Sequence, residues 1–237
     1  MNARILYHNQ LTLGVGLKDD ATFANYFAGN NQQLMTALKK ASVGHGERLL
    51  YFYGAGGQGC THLLQASCHE ANQQKRTSVY IPLRNNEDFT PEIFEGLETL
   101  SLVCVDDIQH IAGVRLWEEA FFHLYNRILD HGGCLLIAAN TVPKKLNLVL
   151  PDLASRLSAS VIFQLQPLSD IEKIQTLMMR AERRGMTLSE DVCHFLLTHC
   201  PRHMSTLFAA LDALDKASLA AQRKLTIPFV KTVLQMI

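Results

Sequence analysis

A glycine-rich segment lies where an apolar, aromatic run gives way to a helical pattern. The run Leu49-Leu-Tyr-Phe-Tyr53 predicts a buried strand, and residues 60–74 predict a helix. Between them, four glycines occur in six residues. Glycines let the backbone curl so that successive N–H groups face phosphate oxygens, and the following helix adds its free N–H groups and dipole. The segment therefore predicts a phosphate-binding loop, whose nucleotide-binding residues are Gly54, Gly56, Gly57, Gln58, Gly59, Cys60, Thr61 and His62.

The loop departs from the usual phosphate loop at one position. That pattern is GxxxxGK followed by Ser or Thr, and here both terminal glycines and Thr61 are in register while Cys60 replaces the lysine. The lysine normally meets the β- and γ-phosphates, and a cysteine offers no positive charge. We therefore expect a nucleoside diphosphate to bind and hydrolysis by the chain itself to be weak or absent. The alternative is a glycine-rich turn without a ligand, which this number of glycines disfavours.

An acidic pair follows a second apolar run, Leu102-Val-Cys-Val105. Asp106, the first acid of the pair, can hold magnesium through water, and the hydroxyl of Thr61 can ligate the same ion. Thr61 and Asp106 are thus the candidate metal residues. Taken alone, the pair is also typical of an acidic loop at the end of a strand.

Apolar runs alternate with helical patterns through the first two thirds of the chain. This alternation predicts an α/β domain with a five-stranded parallel sheet covered on both faces. After Pro167 the pattern becomes helical, with capping boxes at Ser169–Glu172 and Thr187–Glu190. We expect a tail at 1–18, an α/β domain at 19–167 and a small all-helical domain at 168–237. The predicted strands are 49–53, 78–82, 102–105, 134–139 and 161–165, and the later helices are 116–130, 203–219 and 227–236.

The charge balance and the cysteines of the chain exclude some classes of function. Lys and Arg total 22, as do Asp and Glu, and this zero net charge argues against a chain that coats DNA by bulk electrostatics. Six cysteines without a CxxC pair predict reduced thiols, and with no signal peptide we expect a cytoplasmic protein without a membrane segment. A zinc site is disfavoured by the spacing and by Pro201; its candidate ligands are Cys193, His194, His199, Cys200 and His203.

The order of these parts resembles an AAA+ module and, more closely, the Hda family of DnaA-related regulators. The resemblance covers nearly the whole chain. It implies an AAA+ P-loop module followed by a helical lid, and a regulator that inactivates the replication initiator DnaA. The matching segments are Asp20-Ala-Thr-Phe23, Gly29-Asn-Asn, Leu124-Tyr-Asn-Arg-Ile128, Leu150-Pro-Asp-Leu-Ala-Ser-Arg-Leu157, Gln166-Pro-Leu-Ser-Asp170 and Gln222-Arg-Lys-Leu-Thr-Ile-Pro-Phe-Val-Lys231.

The resemblance also implies roles for single residues. The glycine-rich loop would hold ADP, Asp106 would be the magnesium-side acid, and Asn140 the polar residue at a strand end. Arg156 would be an arginine finger offered to the ATP of a neighbouring DnaA. Near the N-terminus, Gln10-Leu-Thr-Leu13 is similar to the family's peptide for the DNA polymerase III sliding clamp (beta subunit), with Gln10, Leu11 and Leu13 as its binding residues.

The sequence differs from the family in ways that leave alternatives open. The family often has arginine at the place of Cys60, Gly14-Val15 follows the clamp-like peptide, and the second sensor of the lid is either Ser205 or Arg202. Arg156 alone also fits a surface arginine paired with Asp152. We expect a regulator that is not an enzyme by itself; the alternatives are a self-acting P-loop ATPase or kinase and an AAA+ loader. Duplex DNA recognition is not implied, and an assembly of the chain with itself stays open.

Overall fold

Five parallel strands form the centre of the computed structural model, which describes residues 17–18, 20–84 and 89–235. The sheet order is β2-β3-β4-β1-β5, so β1 lies between two strands that come later in the chain. Phe52 of β1, for example, pairs with Ala138 of β4 on one side and with Phe163 of β5 on the other. The predicted parallel sheet is confirmed. The strands are β1 Leu49–Tyr53, β2 Ser78–Pro82, β3 Leu102–Asp106, β4 Cys134–Ala139 and β5 Val161–Gln164.

Helices cover both faces of the sheet, which is why the inner strands read as continuous apolar runs. Helices α1 (Gln32–Ser42) and α2 (Cys60–Gln73) pack on one face, where Leu38 and Leu63 are fully buried. Helices α3 (Arg115–Asp130) and α4 (Pro151–Ser158) pack on the other. Because the strands are parallel, their carboxyl ends meet at one edge, and the phosphate loop lies at that edge.

Four further helices build a separate apolar core after the sheet. They are α5 (Asp170–Arg183), α6 (Glu190–His199), α7 (Met204–Ala221) and α8 (Ile227–Val233). The predicted all-helical domain is confirmed, and its core is centred on the buried Leu177, Cys193 and Leu211. Among the described residues, no helix combines the length and apolar character needed to span a bilayer.

The two predicted helix starts in this domain have different outcomes. At α5, the hydroxyl of Ser169 accepts the N–H of Glu172 and the Glu172 carboxylate accepts the N–H of Ser169, as the capping-box pattern predicts. At α6 the predicted box is wrong, because the helix begins at Glu190 with Ser189 as its N-cap and no side-chain bond. Leu188 is buried in the helical core, which keeps the segment from Thr187 to Ser189 out of the helix.

Candidate nucleotide-binding site

The glycine-rich loop joins the end of β1 to the start of α2. The N–H of Gly54 donates to the carbonyl of Ala139 at the end of β4, 3.2 Å away, which fixes the loop to the centre of the sheet. The Oε1 atom of Gln58 accepts the N–H of Ala55 at 2.9 Å. The side chain of Gln58 therefore stabilises the loop by a hydrogen bond inside it, a role that the motif does not predict.

Gly59 is the N-cap of α2 and has a φ of 102°, in the region that L side chains rarely adopt. A Cβ atom at this position would lie 2.7 Å from Cε2 of Tyr26. Gly57 also has a positive φ, of 82°. The backbone can therefore curl and bring the first N–H groups of α2 toward an anion only because these positions carry no side chain.

Thr61 and Asp106, the two predicted metal residues, meet in the structure. The hydroxyl of Thr61 donates to Oδ2 of Asp106 at 2.6 Å, and the hydroxyl of Tyr80 donates to the same oxygen at 2.8 Å. Burial raises the pKa of the Asp106 carboxyl, and the hydrogen bond from Thr61 opposes that shift. The pair offers a hydroxyl and a carboxylate oxygen, the donor types that magnesium prefers. Tyr80 had no signal in the sequence, because its hydroxyl reaches Asp106 only through the pairing of β2 with β3.

Cys60 is half-buried at the place of the usual lysine. Burial, reinforced by the nearby Asp106 and Asp107, raises the pKa of its thiol to about 12, so the side chain is neutral at physiological pH. Two arginines that the motif does not predict line the cavity that contains the phosphate loop. Arg84 Nε lies 3.2 Å from Oδ2 of Asp107, and Arg180 of α5 reaches Oδ2 of Asp20 at 2.7 Å.

Asn140 lies just beyond β4 and lines the same cavity. Its N–H donates to Oε1 of Gln109 at 3.2 Å, and Nε2 of Gln109 donates to Oδ1 of Asp107 at 2.8 Å. Gln109 thus links the ends of β3 and β4. The topology places Asn140 in the cavity of the phosphate loop, since β4 is the neighbour of both β1 and β3.

His62 joins α2 to the segment that precedes α1. Its Nε2–H donates to the carbonyl of Thr22 at 2.8 Å, and its ring centroid is 5.5 Å from that of Tyr26. Burial lowers the pKa of the imidazole, which is therefore neutral at pH 7. The side chain supports the wall of the site and adds no charge to it.

Two adjoining cavities extend from the loop to the lid. The larger, of 760 Å³, contains the phosphate loop, Asp106 and Asn140. The smaller, of 280 Å³, is lined mainly by apolar surface of both domains, with Lys173 and Arg202 among its polar side chains. Their combined size and lining suit a molecule of the size of a nucleotide, and we refer to the smaller cavity as the apolar slot. The apolar side chains of this slot include Tyr26, Phe27, Leu168, Met204 and Phe208.

The lid places its two second-sensor candidates differently. A Cβ atom on Gly57 would be 3.4 Å from Oγ of Ser205, so this serine faces the phosphate loop. Arg202 lines the smaller cavity, where its Nη1 is 3.1 Å from Oδ2 of Asp170. Of the two alternatives, Ser205 is the one that lies against the phosphate loop, and it is uncharged.

Arg156 lies on α4, whose Leu153 and Leu157 are buried against the sheet and α3. Its side chain is exposed and lines neither cavity. No ion pair joins Arg156 to Asp152, or to another acid in the described part of the chain. The structure therefore keeps this arginine apart from the chain's own phosphate loop.

The remaining predictions concern the clamp-like peptide, the zinc candidates and the cysteines. The clamp-like peptide with Gln10, Leu11 and Leu13 lies outside the described residues. In the helical domain, Cys193 is buried in the core and the ring of His199 stacks on that of Phe195, with 4.0 Å between centroids. All six cysteines are free thiols, in agreement with the sequence prediction.

Comparisons with known proteins place this geometry in a family. The family model "Bacterial DnaA ATPase domain" matches residues 17–164, and "Hda, lid domain" matches residues 170–234. Similar solved structures include domain III of the Thermotoga maritima replication initiation protein DnaA, with a TM-score of 0.80 and 22% identity over 93% of this chain and 98% of that one. AMPPCP-bound DnaA from Aquifex aeolicus has a TM-score of 0.70 and 21% identity, over 86% of this chain and 67% of that one. The Thermotoga maritima RuvB branch migration motor has a TM-score of 0.66 and 14% identity, over 87% of this chain and 68% of that one. At these identities the solved structures show the AAA+ fold.

Proposed function

Because the chain belongs to the bacterial DnaA ATPase family and carries an Hda-type lid, we propose that it is a nucleotide-bound regulator that stimulates ATP hydrolysis by DnaA. Conversion of ATP-bound DnaA to its ADP form would inactivate the initiator of chromosome replication. The active site would be shared between the two proteins. This chain would supply an arginine, and DnaA would supply the nucleotide that reacts.

The nucleotide of this chain is proposed to be ADP, with magnesium at Thr61 and Asp106. The glycine-rich cradle and the apolar slot support a nucleotide, and the Aquifex aeolicus relative is described as bound to AMPPCP. The uncharged Cys60 and Ser205 favour a diphosphate over a triphosphate, because neither compensates the charge of a third phosphate group. The two arginines of the same cavity, Arg84 and Arg180, are already paired with Asp107 and Asp20.

Weak hydrolysis by the chain itself follows from the same residues. The lysine that steadies charge at the β- and γ-phosphates is replaced by a neutral thiol. Asp107, the acid beside Asp106, is already paired with Arg84 in an ion pair and accepts a hydrogen bond from Gln109. The chain is therefore proposed to bind its nucleotide as a structural ligand and not to turn it over.

The observation that carries the proposal is the position of Arg156. It is an exposed arginine on α4 that has no ion pair within residues 17–18, 20–84 and 89–235, and it lies outside the chain's own nucleotide cavities. A guanidinium keeps its charge at any physiological pH and can fork onto phosphate oxygens. An arginine supplied in trans to a transferring phosphoryl group speeds hydrolysis by about 10³–10⁵-fold. Arg156 is thus proposed to act on the ATP of DnaA.

Docking on the sliding clamp is a further part of the proposal. Its support is the peptide Gln10-Leu-Thr-Leu13, in which two leucines would anchor in a pocket of the clamp and the glutamine would fix the register. Such docking would bring the regulator to DNA on which replication has begun. DnaA would then be inactivated after initiation and not before it.

The test is a turnover assay with purified components. DnaA loaded with labelled ATP is incubated with clamp-loaded DNA, with and without this protein, and the ADP formed on DnaA is measured. The proposal expects ADP to form quickly only when the protein is present, and expects the protein alone to hydrolyse almost no ATP. Rapid hydrolysis by the protein alone would instead indicate a self-acting ATPase or an AAA+ loader.

A further inference from the structure

Three exposed aliphatic side chains lie at or next to the starts of α3 and α4. Val114, Leu116 and Val149 are 47%, 72% and 53% exposed, although aliphatic side chains of this size are mostly buried. Val114 and Leu116 flank the start of α3, and Val149 lies two residues before α4. We refer to these three residues as the aliphatic patch.

A single buried carboxylate holds the two segments of the aliphatic patch together. Glu118 is fully buried, and its Oε1 accepts the N–H groups of Gly113 at 2.7 Å and Val149 at 3.1 Å. Its Oε2 accepts the N–H of Leu150 at 2.7 Å. A buried charge is tolerated when it is fully hydrogen-bonded in this way. The patch is therefore held in a defined shape, unlike the tip of a free loop.

The same carboxylate connects the aliphatic patch to Arg156. Leu150, whose N–H binds Glu118, is the N-cap of α4, and Arg156 follows about 9 Å farther along at 1.5 Å per residue. The hydroxyl of Tyr125 on α3 donates to the carbonyl of Arg156 at 3.4 Å. Both ends of α4 are thus fixed to α3. The patch and the arginine are therefore both held by the same pair of packed helices, α3 and α4.

We propose that the aliphatic patch is the docking face for the ATP-carrying ATPase module on which Arg156 acts, an inference that rests on the proposed function. The partner must cover apolar surface and must also present an anionic group to an arginine that has no ion pair in the described part of the chain. A nucleotide-bearing module that offers its triphosphate at its edge matches this pairing of apolar and charged chemistry. The ion pair between Arg115 and Glu119, at 2.7 Å, lies next to the patch and supplies part of a polar rim.

Apolar anchors at the centre of an interface supply much of its affinity, whereas the arginine finger acts on the transition state. The two parts of the surface should therefore affect different quantities. Loss of the aliphatic patch should raise the concentration of regulator needed for half-maximal stimulation of DnaA. Loss of the guanidinium should lower the maximal stimulation and change that concentration much less.

The experiment compares Leu116→Asp and Val149→Asp with two matched controls on the lid, Leu219→Asp and Ile171→Asp. The control side chains are 75% and 71% exposed, close to the 72% of Leu116, so each substitution places a charge on an equally exposed site. ADP affinity and the thermal unfolding midpoint check that every variant is folded. DnaA turnover is measured against regulator concentration, and binding to ATP-bound DnaA is measured separately by fluorescence anisotropy.

If the aliphatic patch is the docking face, both patch variants should raise the half-maximal regulator concentration and the dissociation constant for ATP-bound DnaA by about tenfold or more. Both controls should stay within about twofold of wild type. Wild-type binding by both patch variants would overturn it. An absence of stimulation by the wild-type regulator would overturn the proposed function instead. The anisotropy measurement would still test the docking face in that case.

Discussion

The hydroxyl of Thr61 and the carboxylate of Asp106 are joined by a hydrogen bond of 2.6 Å. The two residues are 45 positions apart in the sequence, the first at the start of α2 and the second at the end of β3. Their contact depends on the strand order, which places β4 between β1 and β3. It brings together the hydroxyl and the acid that would ligate a nucleotide's magnesium ion, directly or through water.

Replacement of either partner should remove the contribution of magnesium to nucleotide binding. For Thr61→Ala and Asp106→Asn we expect the increase in ADP affinity on adding Mg²⁺ to fall by roughly tenfold, equivalent to about 1.4 kcal/mol. Titration calorimetry with Mg²⁺ and with EDTA measures this difference. Thr36→Ala, on the exposed face of α1 where the hydroxyl bonds only its own helix, is the control. A full magnesium effect in both site variants would show that the ion binds elsewhere.

Gly59 in the phosphate loop and Gly96 outside the site allow a matched comparison. Gly59→Val should abolish ADP binding, because a side chain there meets Tyr26 and the φ of 102° strains any L residue. Gly96→Val places the same side chain at a glycine that also has a positive φ, of 75°, but lines neither cavity, and it should bind ADP within about threefold of wild type. Thermal unfolding distinguishes loss of the site from loss of the fold. Equal ADP binding by both variants would contradict the role given to the curled backbone.

The neutral thiol of Cys60 accounts for the expected preference for a diphosphate. Cys60→Lys adds an ammonium group at the end of the loop and should raise ATP affinity by about tenfold or more, and ADP affinity by less. Cys60→Ala, which removes the thiol without adding charge, should leave the ratio of the two affinities unchanged. Competition between ATP and ADP for the apo-protein measures the ratio. An equal ratio in Cys60→Lys would mean that this position does not face the phosphates.

The clamp-like peptide provides a prediction that is independent of the nucleotide site. Gln10→Ala and Leu13→Ala should each weaken binding to the sliding clamp by tenfold or more, because each removes an anchor of a short peptide. Surface plasmon resonance with immobilised clamp measures the affinity, and Asn9→Ala, just before the motif, is the control. Equal binding by the wild type and a chain that lacks its first 15 residues would place the contact elsewhere.

Local patterns were sufficient to predict the sheet and the nucleotide loop. The apolar runs predicted every strand to within one residue. The reason is plainest for β3 and β4, which are buried on both faces and need apolar side chains at nearly every position, whereas β5 is a largely exposed edge strand. The Thr61–Asp106 contact was also predictable, since polar residues after parallel strands meet at one edge. The capping box at α5 depends on only four consecutive residues and was predicted correctly.

Features that depend on distant contacts were not predictable. Glu118 lies in a helical pattern and reads like a surface acid, yet it is buried by bonds to backbone groups up to 32 residues away. Tyr80, Arg84 and Arg180 reach the site from β2, the segment after β2 and the lid. At Thr187 the local sequence predicted a capping box that does not form. The next residue, Leu188, packs in the helical core, a contact that the local pattern does not contain.

The central claim, that Arg156 acts on the nucleotide of DnaA, is tested most directly by single-turnover hydrolysis of ATP bound to DnaA in the presence of clamp-loaded DNA. Wild-type protein, Arg156→Lys and Arg156→Ala are compared at saturating concentration, after equal ADP and clamp binding have been shown. The account predicts that Arg156→Ala loses stimulation by about 10³-fold or more, and that Arg156→Lys loses most of it because an ammonium group cannot fork onto phosphate oxygens. Stimulation by Arg156→Ala at the wild-type rate would contradict it.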